Sequence, residues 1–218
     1  MTSTAPAPAV GDALAGVSTI LVVTAHPDDV DFGAAGTVAT WTAAGVDVVY
    51  CIVTDGDAGG SDRSVSRAEM AATRRREQQA AAAALGVRDV RFLGHPDGRL
   101  TPSIELRRDI SRVIRQVRPD RVVTQSPERD WHRIYASHPD HLAAGEAAAC
   151  AVYPDARNPF AHPELLEEGL EPHTVPELWL MATARPDRLR ITVKVSSNAK
   201  FVVTGGRRFA SKNRQADG

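Results

Sequence analysis

The sequence predicts an α/β protein, with a mostly parallel sheet and helices on both of its faces. Three observations carry that expectation. Apolar runs at residues 19–23, 46–54 and 121–124 read as strands buried on both sides. Longer stretches with helical spacing lie between them, the alternation of a βαβ series. Polar loops rich in Asp, Gly and His follow the successive strands, as expected where one sheet edge carries a site.

Each element has its own warrant. Residues 18–25 make the first strand, and the small-residue stretch 33–44 the first helix, ended by Gly45. Residues 46–54 make the second strand, which runs into the loop Asp55-Gly56-Asp57-Ala58-Gly59-Gly60. An Ala-rich helix over 66–85 is closed by Gly86, a common residue just past a helix end. A short strand at 90–93 precedes Gly94-His95-Pro96-Asp97-Gly98. The helix 102–117 is amphipathic, with Ile104, Leu106, Ile110, Val113, Ile114 and Val117 as its core face. The strand 121–124, the loop 125–137, a helix from 139 to about 152 and a last strand at 177–181 complete a Rossmann-like order. There is no internal repeat. One domain is expected over 17–190, between a disordered lead-in, 1–16, and a basic tail, 191–218.

The chain has 218 residues, enough for one α/β domain with a sizeable core. A net charge of −1 gives no reason to expect nucleic acid or an anionic membrane as partner. No run of about 18 apolar residues is present, so no transmembrane helix is expected. The Ala/Pro/Thr-rich start lacks the basic and apolar regions of a signal peptide. Cys51 and Cys150 read as free thiols in a reducing compartment, and the expected location is the cytoplasm. Lys194, Lys200 and Lys212 are the only lysines and fall in the last 25 residues, so the tail differs in composition from everything before it.

The chemistry is concentrated in two short motifs. Ala25-His26-Pro27-Asp28-Asp29 sits where the first strand hands over to a helix. Two adjacent buried carboxylates cost several kcal/mol, roughly, unless a positive charge offsets them. A divalent cation does that. In His138-Pro139-Asp140-His141, proline suits a first helical turn, which puts His138 and His141 on one face. The fold can then join three imidazoles to a carboxylate. A catalytic zinc takes three N/O ligands and keeps one position open, and His26, Asp29 and His141 make that set. Asp28 is left to accept the proton of an attacking water. His138, held protonated by carboxylates such as Asp140, would stabilise an oxyanion and protonate a leaving amine.

These motifs, in this order, resemble the PIG-L, or LmbE-like, N-acetylglucosaminyl deacetylase family. The resemblance runs from Ile20 to about Ala184 and takes in Thr54-Asp55-Gly56 and Arg74-Arg75-Arg76-Glu77, followed by Leu85-Gly86-Val87. It implies a Rossmann-like amidase that carries one Zn2+, with another divalent metal such as Fe2+ as the alternative. The implied ligands are His26, Asp29 and His141. Asp28 is the implied base and His138 the acid and electrostatic partner. Arg74 and Asp97 take positions that contact the substrate, a small amino-sugar conjugate. Where the family often has Glu directly after the two aspartates, Val30-Asp31 stands here. Family members usually close the domain with a helix, whereas residues 191–218 lack helical periodicity, so a replaced closing segment is expected.

Blander readings stand beside these. Asp55 is either a site residue or part of an Asp-Gly-Asp turn. Arg74 lies in a run of three arginines, often no more than a solvated face. His132, His162 and His173 have no partner by spacing and read as surface residues. Trp131 and Tyr135 could line a sugar-binding wall or simply pack within their loop. A non-catalytic ligand-binding module is the rival from another class, but no Gly-rich dinucleotide or phosphate loop follows the first strand. An inactive family member is the other alternative.

Overall fold

The computed structural model describes residues 13–181, apart from 133, 135 and 136, together with the pair 191–192. Strand β1 is Thr19–Thr24, β2 is Asp47–Thr54, β3 is Asp89–His95, β4 is Arg121–Gln125 and β5 is Glu177–Met181. A two-residue β6, Ile191–Thr192, was not expected from the sequence. The sheet order is β3-β2-β1-β4-β5-β6; all pairings are parallel except that of β6 with β5. The helices are α1 Asp29–Gly33, α2 Ala35–Ala43, α3 Arg67–Ala84, α4 Ile104–Val117, α5 Pro139–Val152 and α6 Glu164–Glu167, with a 3-10 turn at Asp155–Arg157.

Side-chain alternation along β1 explains why both faces are covered. Leu21 and Val23 point into a core shared with α4 and α5, where they meet Ile110, Ile114 and Ala147. Ile20 and Val22 point the other way, into a core with Val38 and Trp41 of α2 and Ala82 of α3. This is the expected arrangement of helices on both faces. The expected first helix, 33–44, is found as α2, and a separate short helix, α1, which the sequence did not announce, begins directly behind Asp28. In α4, Leu106, Ile110, Val113 and Ile114 are buried as expected, while Ile104 at the first turn is exposed. A capping box of Ser66 and Glu69 starts α3, satisfying two backbone donors at once.

The order reverses between β1 and β4: one half of the sheet runs outward through β2 and β3, the other through β5. At that point the loops leaving the carboxyl ends diverge and leave a crevice. The two strand ends are tied together, since Ala25 N donates to Gln125 Oε1 at 3.0 Å. Gly145 lets α5 lie against β4, because a Cβ there would stand 2.3 Å from the Gln125 carbonyl oxygen. The crevice is therefore fixed from both sides.

The flanking segments are partly described. Residues 13–16 form a turn, with Leu14 packed on the core and the Ala13 carbonyl accepting from Arg121 at 2.7 Å. This part of the expected lead-in is thus structured; residues 1–12 lie outside the described residues, as does the tail apart from β6. No helix among the described residues is long and apolar enough to cross a membrane.

Candidate metal centre and active site

His26 leaves the end of β1 and His141 lies in the first turn of α5, so the crevice brings them together. His26 Nδ1 is 3.2 Å from His141 Nε2. Asp29 Oδ1 is 3.0 Å from the same His141 nitrogen, and Asp29 Oδ2 is 3.6 Å from His26 Nδ1. Two imidazole nitrogens and a carboxylate thus converge on one point. Burial works against the charged form of Asp29, but His141 and the His26 amide, which donates at 2.7 Å, outweigh it and hold the carboxyl below its ordinary range.

The other nitrogen of His26 decides which atom is available. His26 Nε2 lies 3.1 Å from Asp97 and 3.2 Å from Asp140. Two carboxylates there fix the hydrogen on Nε2 and leave the Nδ1 lone pair facing His141 and Asp29. Asp140 is itself anchored by the amides of Gly98 at 2.7 Å and Leu100 at 3.1 Å, and Asp97 by Ala58 N at 2.9 Å. His26, Asp97 and Asp140 also lie close enough together to hold a cation, as do His26, His138 and His141. With Nε2 donating to Asp97 and Asp140, the nitrogen of His26 left for a cation is Nδ1, beside His141 and Asp29. A set of two imidazoles and one carboxylate suits a borderline divalent ion such as zinc.

Several of the expected site residues also meet other groups of the chain. Asp97 was expected to accept a sugar hydroxyl; it is buried and turned onto His26. Asp140 was expected to keep His138 protonated, but its carboxylate also goes to His26. Partial burial, with His26 and His141 beside it, pushes His138 below the ordinary imidazole value, so its neutral form is favoured. Its Nδ1 accepts the Asp140 amide at 3.2 Å, which leaves Nε2 as the donor. Arg74 was expected to meet substrate; here its guanidinium pairs with the Asp28 carboxylate, the Pro27 carbonyl at 3.0 Å and Glu77 at 3.1 Å. Asp55 is held by both arms of Arg75, each at 2.8 Å. It also lines a cavity of about 480 Å³ with Asp57, Arg67 and His95 at the same sheet edge.

Asp28 is the most unusual residue of the site. Its φ is +87°, in the left-handed region that non-glycine residues rarely occupy. Such a conformation costs on the order of 1–3 kcal/mol and persists only where the surroundings impose it. Its amide donates to the Oε1 of Gln78 at 2.6 Å. Gln78 is buried on α3, one turn beyond Arg74. No sequence motif marks Gln78; its only signal is the four-residue spacing from Arg74, which puts both on one helix face.

Of the histidines expected at the surface, His132 is exposed, while His162 and His173 differ from expectation. His162 is turned toward Asp155 at 3.4 Å, and His173 meets the Pro119 carbonyl at 2.9 Å, so neither is a free surface group. His95 faces Asp109 at 3.1 Å. Trp131 is exposed, and Tyr135 lies outside the described residues.

The family model of GlcNAc-PI de-N-acetylase, PIG-L, matches residues 21–152. The diacetylchitobiose deacetylase of Thermococcus kodakarensis is 35% identical over 175 residues, covering 78% of this chain and 62% of that protein. A probable N-acetyl-alpha-D-glucosaminyl L-malate deacetylase 2 of Bacillus anthracis is 35% identical over 148 residues, covering 64% and 62%. The solved structure of N,N'-diacetylchitobiose deacetylase from Pyrococcus horikoshii shares the fold with a TM-score of 0.74 at 33% identity, covering 79% of this chain and 63% of that one. The chain therefore spans a little over three fifths of the length of these relatives. The family match reaches from β1 through the helix that bears His141, and so includes both halves of the site: the chain belongs to the PIG-L family.

Proposed function

We propose that this protein is a metal-dependent amidohydrolase that removes an N-acyl group, first of all acetyl, from a glucosamine-containing small molecule. The observation that carries the reading is the convergence of His26 Nδ1, His141 Nε2 and Asp29 on one point, with a second carboxylate, Asp28, adjacent in sequence. The three converging residues would hold the ion, assigned as Zn2+ from the donor set. When bound, it supplies Lewis acidity that polarises the acyl carbonyl and makes water nucleophilic near neutral pH.

The chain's own residues do the rest. Asp28 accepts the proton of the attacking water and later delivers it to the departing amine. Arg74 fixes the direction of the Asp28 carboxylate. Neutral His138 donates from Nε2 to the oxyanion that develops on the carbonyl. Asp97 and Asp140 hold the His26 ring in place. The products are a carboxylate, acetate in the simplest case, and the free amino sugar. One catalytic domain over 17–190 acting in a reducing cytoplasm completes the proposal, in keeping with the two free thiols Cys51 and Cys150.

The test is amine release from a panel of N-acetylglucosamine conjugates that includes a disaccharide, a malate glycoside and an inositol glycoside. Metal-loaded protein is expected to release amine from at least one, and a chelator to abolish it. No release from any member by protein with a full complement of metal would overturn the reading.

A further inference from the structure

We propose that Gln78 is a positioning residue, which holds Asp28 in its left-handed conformation and so aims the carboxylate that takes the proton. The inference rests on the proposed role of Asp28 and goes beyond it, to the part of the fold that imposes its geometry.

The observations form one chain of contacts. A residue at φ +87° turns its amide and side chain in directions that a relaxed backbone does not. At Asp28 the amide meets the buried Gln78 Oε1 at 2.6 Å, and the carboxylate meets Arg74 one turn earlier on α3. Arg74 also takes the Pro27 carbonyl at 3.0 Å. The helix thus grips residues 27 and 28 at a carbonyl, an amide and a side chain. Arg74 is only partly covered and its arm is long. Gln78 is 1% exposed, so its amide group cannot swing away.

On the other side the strained loop is bounded by the ion-binding residues. Asp29 Oδ2 accepts the His26 amide at 2.7 Å, which closes the turn over Pro27 and Asp28. If the amide of Asp28 lost its acceptor, the backbone could relax toward ordinary φ while Asp29 kept its own partners. The carboxylate of Asp28 would then move relative to the bound ion without loss of the ion. A displacement of about 1 Å in a catalytic group commonly costs about 100-fold in rate.

The experiment uses Gln78→Met, similar in volume but unable to accept the amide hydrogen. Metal content is expected to match wild type, with KM for the best substrate of the panel changed by less than about 3-fold and kcat lowered by about 10- to 100-fold. A merely structural role would lower metal content and activity together and leave kcat per metal-loaded chain unchanged; that result overturns the proposal, as does an unaltered kcat. A second measurement needs no turnover. In wild-type protein the Asp28 amide is expected to be protected from hydrogen exchange, and in Gln78→Met to lose that protection while the amides of β1 keep theirs. A wild-type Asp28 amide that exchanges freely would refute the proposal even if the variant fails to fold. Absence of any hydrolysis by the wild type would refute the proposed function, and the amide measurement would still decide whether Gln78 holds Asp28.

Discussion

His26 Nδ1 and His141 Nε2 stand 3.2 Å apart, although 115 positions separate them in the chain. Nitrogens that close, with Asp29 at 3.0 Å from one of them, can share a proton or hold a cation between them. Removing one ligand and removing the base should therefore have different effects. His141→Ala is expected to lose bound metal, read by elemental analysis after gel filtration. Asp28→Asn is expected to keep the metal and lose about 100- to 10,000-fold in kcat. Unchanged metal in the first variant, or full activity in the second, would contradict the assignment.

The carboxylates behind His26 should act through affinity. Asp97→Asn replaces one of the two acceptors that hold the hydrogen on His26 Nε2. Metal affinity is expected to fall by about 10- to 100-fold, because such partners orient a ligating ring. A competition titration with a chelating indicator reads it. If Asp97 instead met only substrate, affinity for metal would stay as in wild type and KM alone would rise.

Stability below neutral pH should depend on Asp120. Its Oδ2 accepts from Ser18 N at 2.8 Å, Ser18 Oγ at 2.8 Å and Thr19 N at 3.0 Å, joining the start of β1 to the segment before β4. Burial pushes its carboxyl up, and these bonds outweigh burial and hold it below the ordinary value. A depressed carboxylate stabilises the fold above its unfolded pKa, about 3.9, and the contribution fades as pH falls through the folded value. Asp120→Ala is expected to cost about 1–3 kcal/mol at pH 7. The gap to wild type should narrow as the pH is lowered from about 5 toward 3. Chemical denaturation across that range measures it, and a gap that widens would contradict the sign.

Packing makes a sharper demand at Gly145. A Cβ there would meet the Gln125 carbonyl oxygen at 2.3 Å and the Pro127 nitrogen at 3.1 Å, both backbone atoms that cannot rotate away. Gly145→Ala is expected to cost about 3 kcal/mol or more. A melting temperature about 6–12 °C lower corresponds to that cost in a chain of this size. Gly36 is the control: on α2 nothing lies within 4 Å of an added Cβ, so Gly36→Ala should be neutral or slightly stabilising. A wild-type melting temperature in Gly145→Ala would mean that α5 does not sit this close to β4.

The strands and the two motifs were legible because each is a local signal. Apolar runs mark the strands, and His26, Asp28, Asp29 and His141 are unusual residues for a strand end or helix start. The expected convergence of His26, Asp29 and His141 follows from topology, since β1 and β4 are neighbours in a parallel sheet. What the sequence could not supply is which partner each polar group meets. Asp140 and Asp97 lie near His138 or in a loop by sequence, yet both turn to His26. Gln78 sits among alanines on α3 with nothing to distinguish it from Gln79. Its contact with Asp28 depends on how α3 docks across 50 residues of chain. The partners of His162 and His173 are likewise tertiary.

The most direct measurement is a titration of metal-free protein with Zn2+, following acetate release from the best N-acetylglucosamine conjugate. One site built by His26, Asp29 and His141 requires activity to rise in proportion to added metal and level off at about one equivalent per chain. Activity that is already full in the metal-free protein, or that stays absent after one equivalent is bound, would contradict it.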